Sequence, residues 1–258
     1  MIIFCFVIVL IVLQLSWDIP RTYFLLKNTD ELEAQSVPFS RIVSNAPMRI
    51  LVLGDSTAVG TGSARPGDST AGRLGALYPN AEVVNLAVNG LKIGGLLKIL
   101  ASMEAEQNTK QHFDIVLIQI GANDIIKLTP MKNIDDGIAQ VLTIAKGLTD
   151  VGTGATSGST AGVDVRASGK VILLHSGDIG QALFFPWYLR AFYSHRSYEV
   201  RDIYEKEARA HGAQYVDLID SPAATLLEQD PGRYYADDFL HLNGEGYGLW
   251  FAEIKRYL

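Results

Sequence analysis

Five short apolar runs separated by helix-like stretches constrain this chain more than any other feature. They read RILVLG at 49–54, EVVNLA at 82–87, DIVLIQIG at 114–121, KVILLHSG at 170–177 and QYVDL at 214–218. The strongest of them are continuously apolar, as strands covered on both faces require. Between them lie 72–78, 91–106, 133–148 and 196–212, and in the third of these Ile134, Ile138, Val141, Leu142 and Ala145 recur at helical spacing. Parallel strands with crossover helices follow. The prediction is an α/β fold, a three-layer α/β/α sandwich around a five-stranded parallel sheet. The flavodoxin-like order 2-1-3-4-5 would bring the exits of strands 1, 2 and 3 side by side, where such sheets bind ligands.

The ends of the chain bound its surroundings. Residues 1–17, MIIFCFVIVLIVLQLSW, hold Gln14 as their one strongly polar side chain before Trp17. A spanning helix needs about 17 to 25 residues, so this run predicts an N-terminal membrane anchor. A cleaved signal peptide is the other reading, but no basic n-region precedes the run and no small-x-small cleavage site follows. Residues 18–47, with Pro20, Pro38 and Pro47, read as a tether, and 48–258 as one domain. The low-complexity stretch 152–169 reads as a surface insertion. A formal net charge of −6 argues against a nucleic-acid partner, and the single cysteine, Cys5, excludes an internal disulfide and a thiolate metal cluster. No metal or cofactor is expected.

Three strand exits carry chemistry. The first runs into Gly54-Asp55-Ser56 with small residues after it, the second ends in Gly90, and the third holds Gly121-Ala122-Asn123-Asp124. In the expected order, Ser56, Gly90 and Asn123 converge. A serine hydroxyl attacks only when a base takes its proton, so Ser56 needs a histidine oriented by an acid. Asp238 and His241, three residues apart near the C-terminus, supply both. A tight loop can aim the carboxylate at Nδ1 and leave Nε2 for Ser56.

Together the GDS block, the glycine after the second strand, the G-x-N-D block and the D-x-x-H block resemble the SGNH superfamily of GDSL-type esterases and lipases. The resemblance spans about residues 48–258. It implies a serine esterase acting on a small-molecule or lipid ester through an acyl-enzyme on Ser56. It also implies that the backbone N–H groups of Ser56 and Gly90 and the Asn123 amide form the oxyanion hole, with His241 as base and Asp238 as its partner. An acyltransferase using the same residues on a sugar or lipid acceptor, or a membrane-anchored module that binds esters without cleaving them, is the alternative.

The remaining singular residues read as structural. His112, His195 and His211 lie before a strand, among polar residues and at a helix end. His175 leaves a strand on the active-site edge and reads as packing or support. The aromatic stretch 182–193 reads as an amphipathic segment whose Phe184, Trp187, Leu189 and Phe192 cover the core. Its other readings are a lid, an acyl-binding wall or a bilayer-facing surface.

Overall fold

The computed structural model describes residues 2–105, 112–150 and 169–258, without the side chains of 2–11, 15, 104 and 105. Helix α1 (Ile2–Gln35) leads into strand β1 (Arg49–Gly54), the one-turn helix α2 (Ser56–Val59) and α3 (Thr70–Leu77). Strand β2 (Glu82–Asn85), α4 (Ile93–Ala105), β3 (Ile115–Gln119), the short α5 (Ala122–Ile126) and α6 (Met131–Thr149) follow. Strand β4 (Lys170–Leu174), α7 (Trp187–Ala210), β5 (Gln214–Tyr215), α8 (Pro222–Gln229), α9 (Pro231–Tyr234) and α10 (Gly244–Ile254) complete the chain. All four strand pairings are parallel, in the order β2-β1-β3-β4-β5, as predicted.

Both faces of the sheet are buried, which explains why the inner strands read as unbroken apolar runs. Leu51, Leu53, Val116, Ile118 and Leu173 point to one side, where α4, α6 and α7 add Leu96, Leu100, Ile138, Leu142, Val200 and Tyr204. Ile50, Val52, Leu117, Ile172 and Leu174 point to the other, against Leu74, Leu227, Tyr247, Trp250 and Ile254 from α3, α8 and α10. The outer strands are shorter than expected because polar side chains turn the chain away. Asn85 accepts the N–H of Ala87 at 3.0 Å, and Asp217 accepts that of Ile219 at 2.8 Å.

The N-terminal region is helical where a tether was expected. Among the described residues no helix is long and apolar enough to cross a membrane. Most side chains of the run 1–17 lie outside those described, as does the expected insertion up to residue 168. Residues 18–35 are not a tether; they continue α1, with Pro20 inside the helix. This half of α1 is docked on the domain. Leu25 is buried, Arg21 donates to the carbonyls of Leu183 and Phe184, and the Asn28 amide donates to the carbonyl of Asp237 at 3.1 Å. Downstream, Arg41 pairs antiparallel with Val83 at the free edge of β2, and its guanidinium caps the carbonyls of Gly75, Tyr78 and Ala81. These contacts join distant segments, so no local periodicity announces them.

The aromatic stretch is corrected as well. It forms the start of α7, nine residues earlier than the expected helix, but Trp187, Leu189 and Phe192 face outward, Trp187 with 71 % of its surface exposed. Ala182 and Phe185 are the residues of this stretch that are buried in the core. Phe184 is half-buried and faces the cavity described next.

Candidate active site

Gly54 ends β1 with φ of +148°, and a Cβ there would lie 1.7 Å from the carbonyl oxygen of Gln119 on β3. Only glycine allows the two strands to approach this closely while the chain turns. Asp55 then caps α2, its Oδ1 accepting the N–H of Thr57 at 3.0 Å and its hydroxyl at 2.8 Å. Burial pushes the Asp55 carboxyl up to about 6, against the opposing hydrogen bonds of Thr57 and the charge of His241. Cap and reactive position coexist here. Ser56 is the first residue of α2, so its hydroxyl leaves the helix start at the carboxyl edge of the sheet.

The C-terminal loop is folded as tightly as its spacing required. Ala236 donates to the carbonyl of His241 at 2.8 Å, Tyr235 bridges Leu242, and Asn243 caps α10 through the N–H groups of Glu245 and Gly246. Phe239, at φ +53°, makes the reversal in a left-handed conformation. Asp238 stabilises it, because Oδ1 accepts the N–H groups of Leu240 and His241, each at 3.0 Å.

This loop delivers His241 to Ser56. Nε2 lies 2.9 Å from Ser56 Oγ, and Nδ1 lies 2.6 Å from Asp238 Oδ2. All three residues are buried, Asp238 completely. Burial would raise the Asp238 carboxyl, but the hydrogen bond and charge of His241 and the two loop N–H groups outweigh it, holding the group below the usual aspartate range.

Ser56 and His241 open into a cavity of about 280 Å³ that Gly90 and Asn123 also line. Sequence reasoning therefore brought five residues together: Ser56, Gly90, Asn123 and His241 at the cavity, with Asp238 behind the imidazole. For Gly90 the physical reason is its φ of +72°, since a Cβ would meet nothing nearer than Lys127 Nζ at 3.8 Å. Asp124 receives the N–H of Ile93 at 2.9 Å, tying the third strand exit to the start of α4. Leu26, Ile126, Ile179, Phe184 and Leu240 form the apolar wall, with Glu33 and Lys127 as charged members. Apart from Phe184, whose stretch had an acyl-binding wall among its readings, none of these was predicted, because they come from α1, α5 and loops whose approach is set only by the complete fold.

Residues 52–249 match the model of the GDSL-like lipase/acylhydrolase family. The chain belongs to that family. This GDSL-like hydrolase is accordingly a carboxylic ester hydrolase of the serine type. Its fold is similar to a lipolytic G-D-S-L family member from Veillonella parvula, at TM-score 0.56 and 18 % identity, covering 81 % of this chain and 97 % of that one. A lipase/acylhydrolase from Enterococcus faecalis gives 0.54 and 20 %, covering 81 % and 94 %. An acetyl xylan esterase from Geobacillus stearothermophilus gives 0.53 and 19 %, covering 82 % and 94 %. At such identities the likeness concerns the fold. No curated protein matches the sequence of this hydrolase.

The other histidines of the hydrolase stay outside the cavity lining. His175 is buried between aromatic rings, edge-on to Tyr204 at 5.8 Å and stacked on Tyr215 at 6.2 Å. Burial pushes its imidazole down to about 4 from 6.5. The unfolded chain therefore takes up a proton that the folded chain refuses, so the contribution of this residue to stability is intact above pH 6.5 and is lost as the pH falls towards 4. Replacing His175 with Phe should flatten that dependence. The variant's stability relative to wild type, from urea melts, should be about 2 kcal/mol more favourable at pH 5 than at pH 8; an equal difference at both would remove the assignment.

Proposed function

We infer that the protein cleaves carboxylic esters through an acyl-enzyme on Ser56. The observation that carries this reading is the continuous relay from Ser56 Oγ through the His241 ring to a fully buried Asp238, opening into a small, mainly apolar cavity. Ser56 Oγ attacks the ester carbonyl carbon while His241 Nε2 takes its proton, and the charge that develops on the carbonyl oxygen is met by the N–H groups of Ser56 and Gly90 and the amide of Asn123. The imidazolium returns the proton to the leaving alkoxide as the C–O bond breaks. Water then enters and its oxygen attacks the acyl carbon as His241 takes its proton; the second tetrahedral intermediate breaks its bond to Ser56 Oγ, which receives that proton from the imidazolium as the acid leaves. Asp238 holds the imidazole with Nδ1–H towards itself throughout.

The acyl group is short. A volume of about 280 Å³ lies just below the range of drug-sized small-molecule sites, which begins at ~300 Å³. Leu26, Ile126, Ile179, Phe184 and Leu240 suit an alkyl chain. The acetyl ester substrate named for the Geobacillus relative has an acyl group of this kind. A fluorophosphonate probe should add its mass to the peptide holding Ser56 and to no peptide of Ser56→Ala, with acetyl and butyryl aryl esters turned over faster than palmitoyl. Labelling of another residue, or equal hydrolysis by a folded Ser56→Ala, would overturn the reading.

A further inference from the structure

The family match starts at residue 52, yet one wall of the cavity is made by α1, which ends at Gln35. Leu26, Thr29 and Glu33 lie at spacings of three and four, so one stripe of this helix faces the cavity. The same helix is tied to three loops of the rim. Arg21 holds the carbonyls of Leu183 and Phe184, Asn28 holds that of Asp237, and the Asn89 amide, beside Gly90, donates to the carbonyl of Glu33 at 3.1 Å.

Thr29 reaches further than its neighbours. Its hydroxyl lies 3.0 Å from Asp238 Oδ2, the oxygen that also receives His241 Nδ1–H. The Leu25 carbonyl lies equally near, at 3.0 Å, but a carboxylate is the stronger acceptor and takes the single hydroxyl proton. An ionised carboxylate offers about four acceptor positions. In Asp238, the N–H groups of Leu240 and His241 occupy Oδ1, and His241 Nδ1–H and the Thr29 hydroxyl occupy Oδ2. With Asp238 fully buried, water has no access to replace a lost donor.

We propose that Thr29 of the N-terminal helix is a positioning residue of the catalytic centre, fixing the Asp238 carboxylate so that it holds His241 towards Ser56. The proposal rests on the acyl-enzyme reading. Removing the hydroxyl leaves Oδ2 with the imidazole as its only donor, and the carboxylate gains freedom to rotate out of line. It also leaves a more basic carboxylate beside the imidazole, which favours the imidazolium. The other titratable groups near the pair are Asp55 and Tyr247, with Glu33 and Lys127 in the cavity wall, and all are retained in the variants below.

The test uses the full chain in mild detergent, with Thr29→Val, Thr29→Ala and Thr29→Ser. Valine keeps the shape, and alanine has a better helix propensity than threonine, so at least one hydroxyl-free variant keeps α1 folded. With a short-chain aryl ester, kcat of the Val and Ala variants should fall about tenfold, the loss of one hydrogen bond to a charged group, with KM within about twofold of wild type. The acid limb of their kcat/KM profiles should move to higher pH, and Thr29→Ser should restore both properties. A purely structural role would lower the melting temperature and leave kcat and the profile in place; that result, or failure of serine to rescue, overturns the proposal. Fluorophosphonate labelling of the same preparations separates the two readings. Wild-type protein labelled at Ser56 with unaltered Thr29 variants sinks this inference alone, whereas no label at Ser56 sinks both.

Discussion

Replacing His241 with alanine is expected to lower kcat on a short-chain aryl ester by about a millionfold, the scale seen when a serine hydrolase loses its base. The geometry supports so large an effect. Nε2 stands 2.9 Å from Ser56 Oγ, and no other histidine lines the cavity. Without it the hydroxyl keeps its proton and the leaving alkoxide has no acid. The loss is also expected to be non-additive: Ser56→Ala with His241→Ala should be no slower than either change alone, because the residues act as one unit. Steady-state rates with a melting curve for each variant decide the matter. A His241→Ala protein that folds and retains activity within tenfold of wild type would end the mechanism.

The second large effect falls on folding. Gly54→Ala would place a Cβ 1.7 Å from the Gln119 carbonyl oxygen and 2.9 Å from Ala58 Cβ, at a φ of +148°. Relief requires β1 and β3, two inner strands of the sheet, to separate at their carboxyl ends, where Gly54 pairs with Gln119. The cost should exceed about 4 kcal/mol, the range reserved for backbone strain and overpacking. Gly94→Ala is the matched control, since a Cβ there meets nothing within 4 Å. Urea melts should show the first variant largely unfolded and the second as stable as wild type. Equal midpoints would mean that the strands tolerate separation.

The parts of the fold legible beforehand were those whose stability is local or periodic. Strands β1, β3 and β4 were visible because both their faces are buried, and α6 because Ile134, Ile138, Val141 and Leu142 repeat along one buried stripe. The D-x-x-H spacing was readable because Asp238 bonds to N–H groups two and three residues ahead, a purely local arrangement. Ser56 and His241 could be paired because the chemistry of a serine nucleophile demands an imidazole.

The illegible parts owe their positions to contacts between distant segments. Residues 18–35 look like a tether because they mix charge and Pro20 without sustained periodicity, yet Arg21, Asn28 and Thr29 each bond to residues more than 150 positions away. Trp187 and Phe192 resemble core residues by composition, but in the first turns of α7 both are exposed. An aromatic residue in a helix does not reveal which face its neighbours will cover.

The reach of the relay has a consequence for how the protein is made. Thr29 and Asp238 are 209 positions apart, and Ser56 and His241 are 185 apart. All five strands have been synthesised by residue 215, while the imidazole and its carboxylate still await translation. The pairing of Ser56 with His241 therefore forms only after the whole sheet has been made.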